Sequence, residues 1–221
     1  MKKLLVLLAF TMLSISLASA SQIPCTISGT TFNTPVSSAT VVTCGTLTFD
    51  DFSVLNPTSN TATPNPGLID VLATSYFDTG SGVAFLEFNP NLQVGMDDEF
   101  LFAVVGGISS IDMTVGGQGA SVEESACSVP FGQGTVGVGV CAPNELLGQI
   151  TVLSQQAEEL ASFNTTSPVY IFKDLNTGTS SNAQLTEFTQ TFGTIPEPIS
   201  MVLLGSGLLG LGLLRRRSRK S

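Results

Sequence analysis

The chain has no histidine and no tryptophan, and only two tyrosines among its 221 residues. It therefore lacks the commonest general base, the usual imidazole metal ligand and the favoured aromatic platform for stacking sugars. Positive charge is almost as scarce. Of eight basic residues, Lys2, Lys3, Arg215, Arg216, Arg217, Arg219 and Lys220 lie in the two ends. Between Ser21 and Glu197 one base, Lys173, faces all 17 carboxylates. A body so acidic repels nucleic acid and anionic lipid headgroups, which excludes both as partners and leaves divalent cations or neutral sugars. Helical stretches between strands are missing too, which excludes a parallel α/β fold. A chain of this length has room for one ordinary domain.

The two ends read as addresses. Residues 1 to 20 open on Met-Lys-Lys, continue as an apolar run from Leu4 to Leu17 and close on Ala18-Ser19-Ala20. A basic segment, an apolar segment and a small-x-small site in that order predict a secretion signal. It would pass through the general secretion machinery and be removed by signal peptidase, giving a mature N-terminus at Ser21. A buried amphipathic helix would need a polar stripe, and Leu4 to Phe10 has none.

At the other end Ile195-Pro196-Glu197-Pro198 precedes an uncharged run from Ile199 to Leu214, then Arg-Arg-Arg-Ser-Arg-Lys. Sixteen helical residues span roughly 24 Å, enough for one transmembrane helix if flanking basic side chains snorkel and the bilayer thins. The basic cluster belongs in the cytoplasm, which leaves Pro-Glu-Pro and the body outside. Pro196 and Pro198 cannot continue a helix and keep Glu197 extended and accessible.

Pro-Glu-Pro, a Leu/Gly-rich span and a closing Arg-Arg-Arg, in that order, resemble the PEP-CTERM sorting domain. The resemblance covers residues 195–221 and implies recognition by exosortase, an integral membrane protease/transpeptidase of bacteria that make exopolysaccharide. Pro196, Glu197 and Pro198 would be the recognition motif, and Arg215, Arg216 and Arg217 the basic stop. Such tails occur on proteins of very different activities, some ice-binding proteins included, so they convey an address and not a chemistry. Leu47-Thr48-Phe49, the run Val169 to Asp174 and Gln190-Thr191-Phe192 also resemble uncharacterised exported proteins that carry this tail.

Four cysteines, Cys25, Cys44, Cys127 and Cys141, fall in the part predicted to meet an oxidising compartment. Three pairings are open; two local disulfides, Cys25 with Cys44 and Cys127 with Cys141, would each close a hairpin-sized loop. Zinc is disfavoured, with no C-x-x-C and no histidine.

Nine strands are predicted between turn-rich segments: Thr46 to Val54, Leu68 to Ala73, Val83 to Phe88, Phe100 to Val105, Ile111 to Val115, Thr135 to Val140, Gln149 to Leu153, Val169 to Phe172 and Gln184 to Phe192. One short helix is predicted over Ser154 to Ala161. The expected fold is all-β: an antiparallel β-sandwich, jelly-roll or Ig-like, over residues 21–194.

Candidate chemistry is sparse. Gly132 to Gly137 matches G-x-G-x-x-G, but a strand-like Val138-Gly139-Val140 follows where a dinucleotide site needs a helix. Gly116-Gly117-Gln118-Gly119 reads as a turn. Asp50-Asp51, Asp97-Asp98-Glu99 and Glu123-Glu124 are expected on solvated loops and strand edges; calcium binding or glycoside hydrolysis are the alternatives. Lys173 predicts a salt bridge, or an isopeptide bond to an Asn beside a carboxylate. Asn164-Thr165-Thr166 is a glycosylation sequon, of slight weight in a bacterium.

These features predict an exported envelope or matrix protein without enzymatic activity, cofactor or bound metal. It would be held in the inner membrane facing the periplasm, processed by exosortase, then placed at the cell surface or secreted, with exopolysaccharide a possible partner. The alternative is a calcium- or carbohydrate-binding module.

Overall fold

Period-two alternation governs the body. In Val83–Asn89, for example, Ala84, Leu86 and Phe88 are buried while the intervening side chains face outward. A computed structural model describes residues 21–28, 34–35, 38–55, 69–131, 141–156, 159–165 and 168–195. The predicted signal, Ala18 and Ala20 included, lies outside these residues, as do Pro196 to Pro198, the span from Ile199, the Arg cluster, the G-x-G-x-x-G segment and the strand predicted at Thr135 to Val140.

Fifteen strands are described: β1 (Gln22–Pro24), β2 (Thr26–Ile27), β3 (Thr34–Pro35), β4 (Val42–Cys44), β5 (Leu47–Leu55), β6 (Asp70–Val71), β7 (Tyr76–Asp78), β8 (Val83–Asn89), β9 (Asp97–Val105), β10 (Ile108–Val115), β11 (Ala120–Cys127), β12 (Leu146–Leu153), β13 (Glu159–Thr165), β14 (Val169–Thr177) and β15 (Phe188–Thr194). They form two antiparallel sheets. Sheet A runs β1-β7-β8-β15-β10-β13, with β6 also on β8 and β3 on β6; sheet B runs β12-β11-β14-β9-β5-β4-β2. The last eight strands pair in a nest, β8 with β15, β9 with β14, β10 with β13 and β11 with β12. Rolling one long hairpin across two sheets gives this order.

The sheets face each other across a phenylalanine-rich core. Phe49 and Phe102 of sheet B meet Phe192 of sheet A at ring-centroid distances of 4.9 and 6.1 Å, and Phe88 of sheet A meets Phe100 of sheet B at 5.5 Å. A bulge in β5 re-phases the alternation between Asp50 and Ser53, with Asp51 at φ 54°. Phe49 and Phe52 therefore both point inward while Asp50 and Asp51 stay outside.

Cys25 is bonded to Cys44 and Cys127 to Cys141. Among the described residues of Ser154 to Ala161 no helix forms. Ser154 to Gln156 make a turn, with Gln155 at φ 67°, and β13 begins at Glu159 and pairs with β10. An eight-residue helix is too short to stand on propensity, and sheet pairing prevails. The final strand starts at Phe188, not Gln184; Gln184 and Leu185 instead bridge to Gln118 and Leu92.

Both ends of the body meet at one turn. Ser21 O accepts from Thr79 N at 3.1 Å, and Thr194 N donates to Gly82 O at 2.9 Å, so the chain enters and leaves beside the β7–β8 connection. Asp78 caps that turn, accepting from Gly80 N and Ser81 Oγ, which hold its carboxyl below the usual range.

Candidate functional site

Three places in the body gather polar chemistry. The first is inside the core. Lys173 on β14 and Glu124 on β11 are cross-strand neighbours on the inner face of sheet B, both fully buried. Lys173 Nζ donates to Glu124 Oε2 at 2.5 Å and, across the core, to Gln190 Oε1 of β15 at 2.5 Å. Met113 Sδ lies 3.4 Å from the same nitrogen and the Phe188 ring centroid 5.1 Å. Burial pushes Glu124 up and Lys173 down, each opposed by the attraction of the other. The predicted salt bridge is present. The amide beside the lysine belongs to Gln190, where an Asn was anticipated.

The second place is the outer face of sheet B, where Glu99, Asp174 and Glu123 are directly opposite one another across β9, β14 and β11. Like charges so placed repel. Burial, followed by the Asp97 carboxylate and its hydrogen bond, raises Asp174 to about 7, with Glu99 and Glu123 adding to the effect. Glu123 is steadied by Gln149 Nε2 at 2.5 Å. The expectation that the acidic clusters sit in solvent therefore fails for Asp97, Asp98 and Glu124, all buried. Glu124 is inside because Lys173 compensates it; Asp98 is inside because alternation along β9 turns it to the same face as Phe100 and Phe102. Among the described residues no three acidic side chains converge on a point that would hold a metal ion.

The third place is the outer face of sheet A, which sequence reasoning missed. Tyr76, Phe85, Thr191 and Asp112 are successive cross-strand partners over β7, β8, β15 and β10, and Glu87, Thr189 and Thr114 form a parallel row. Together they line a groove of roughly 220 Å³. Tyr76 and Phe85 stack at 4.6 Å with an interplanar angle of 14°. Thr74 donates to Glu87, fixing one wall. A flat aromatic pair beside carboxylates and hydroxyls suits a neutral polyhydroxylated ligand. The alternation of Phe85 and Glu87 was legible, but which strands flank β8 was not.

The comparisons with known proteins bear on the C-terminal end, immediately after β15. Residues 194–218 match the PEP-CTERM protein-sorting motif. The PEP-CTERM tail makes this chain an exosortase-directed, exported protein that is membrane-anchored before processing. No curated protein matches the chain in sequence. Solved structures with partial likeness include L-ribose isomerase of Cellulomonas parahominis with L-psicose, at 11% identity and TM-score 0.21, covering 56% of this chain and 66% of that one. The same isomerase without ligand gives 13% identity and TM-score 0.21, over 56% and 64%. Infectious bursal disease virus, Gx strain, gives 12% and 0.19, over 68% and 34%. All three alignments span less than two thirds of those chains, and likeness at this level carries no functional reading.

Proposed function

We propose that this chain is a non-enzymatic cell-envelope or matrix protein, delivered by its PEP-CTERM tail. In this reading residues 1–20 are a removed secretion signal, residues 21–194 a jelly-roll body, and residues 195–221 the sorting tail with one transmembrane helix. The body faces the periplasm until exosortase acts, and the cell surface or medium afterwards. The observation that carries the reading is the PEP-CTERM match beginning at the last residue of β15. The nested pairing of β8 to β15 supports the jelly roll over the Ig-like alternative. Deleting residues 195–221 in a host that carries exosortase is the test. Loss of membrane-held precursor and of surface material is expected; unchanged processing and location would refute the reading.

The groove on sheet A favours a second, compatible reading, in which the body binds a neutral polysaccharide of the envelope. Its support is the Tyr76–Phe85 platform flanked by Glu87, Asp112 and three threonines, on a surface whose charge disfavours acidic polymers. Calcium has less support, since among the described residues no three acidic side chains converge. Binding to a panel of neutral and acidic glycans should favour the neutral ones and fall at least tenfold in Tyr76→Ala. Equal retention of the wild-type protein and Tyr76→Ala on every glycan would end the idea.

A further inference from the structure

Lys173, Glu124 and Gln190 are each fully buried, and Lys173 Nζ touches the other two at 2.5 Å. We propose that Lys173 and Gln190 become joined by an intramolecular isopeptide bond, with Glu124 carrying the protons. An amine exposed to water is protonated and unreactive, and a glutamine amide is a poor electrophile. Here both obstacles are lowered. Burial disfavours the ammonium and the carboxylate, so the proton shared between Nζ and Oε2 is readily held by Glu124, leaving a lone pair on nitrogen. Nζ already contacts the amide oxygen, one carbonyl bond of about 1.2 Å from the carbon it would attack. Holding reactants at contact distance is worth effective molarities on the order of 10⁵ M or more.

The step balances without any co-reactant. The Nζ lone pair attacks Cδ of Gln190, an amide bond forms between them, and the bond from Cδ to Nε2 breaks. Glu124 takes one proton from the amine and delivers one to the departing nitrogen, which leaves as ammonia. Glu124 starts as the acid, having taken the ammonium's extra proton, and ends as the acid. The Phe188 ring and the Met113 thioether lie beside Nζ in the buried core, where bulk water does not solvate the ammonium. The product would tie β14 of sheet B to β15 of sheet A through the middle of the core, independently of the sorting reading.

The sequence supplies a sharp test, because Lys173 is the single trypsin site between Ser21 and Arg215. The full chain is expressed with its N-terminal segment, purified, reduced and denatured, then weighed intact and digested with trypsin. The expected result is a mass about 17 Da below that of the reduced chain calculated between the N- and C-terminal residues it carries after processing, the mass of one ammonia. Resistance to cleavage after Lys173 should accompany it, leaving Lys173 and Gln190 in one tryptic peptide whose fragment ions show the branch between them and lack the backbone cleavages of residues 174–189. Glu124→Gln should restore both the mass and the cleavage. A wild-type chain at its full sequence mass and cut after Lys173 overturns the proposal, whatever the variant does. So does a 17 Da loss in a chain that trypsin still cuts at Lys173, which would place the loss elsewhere.

Discussion

Replacing Asp174 with asparagine should stabilise the protein at alkaline pH and leave it unchanged in acid. Asp174 sits between Glu99 and Glu123 on adjacent strands, with Asp97 hydrogen-bonded to it, and is raised from 3.8 to about 7. Its folded pKa therefore exceeds its unfolded one. The native state gains from this group below about pH 4, loses that gain progressively as pH rises towards 7, and has lost it above. Three pH units at about 1.4 kcal/mol each give ~4 kcal/mol for a fully buried group. Asp174 is only half-buried, and solvent screening cuts this to about 1–2 kcal/mol. Asparagine keeps a donor for Asp97 and removes the charge. Urea unfolding of both proteins at pH 4 and pH 8, at one ionic strength, isolates the difference. At pH 8 the variant should be more stable by about 1–2 kcal/mol, or roughly 3–6 °C in Tm, with no difference at pH 4. An equal effect at both pH values, or a variant less stable at pH 8, would refute the carboxylate-row account.

In a Gln190→Leu background, where no bond to Lys173 can form, Lys173→Met leaves Glu124 buried without its counter-ion and should cost about 3–5 kcal/mol of unfolding free energy, whereas combining it with Glu124→Leu should recover much of the loss. Gly117, at φ 104°, has no room for a side chain, since a Cβ there would lie 2.2 Å from Gln184 O. Gly117→Ala should therefore lower stability by about 2 kcal/mol in a thermal melt. Removing the Cys127–Cys141 bridge, with its sequence separation of 14, by a double serine substitution should cost about 3 kcal/mol; an unchanged melt would show that it constrains little.

The sequence showed the sheet class and the strands whose apolar residues alternate or run together, such as β8, β9 and the first half of β14. It hid β11 and the second half of β14 for a single reason. Glu124 and Lys173 point into the core, and each makes its own strand look polar until the other is placed beside it. Charge pairing over 49 residues is not a local signal. β13 was obscured differently, because its opening Glu159-Leu160 follows a sequence that favours a helix in isolation, and the strand forms by pairing with β10. The groove on sheet A was legible residue by residue but not as a site. Its rows join strands far apart in the chain, Tyr76 to Asp112 by way of Thr191.

The tail leaves the body from β15, and β15 is flanked by β8 on one side and β10 on the other. A protein held at a surface by that end feels drag from moving fluid as a pull entering at Ile195 and directed along the strand. Ladder hydrogen bonds lie across that direction. They must shear together on both flanks, where an edge strand pulled sideways would peel one bond at a time. The connection to the tether is thus mechanically among the strongest points of the fold, and single-molecule pulling from the C-terminal end should need more force than pulling that peels β13 from the sheet edge.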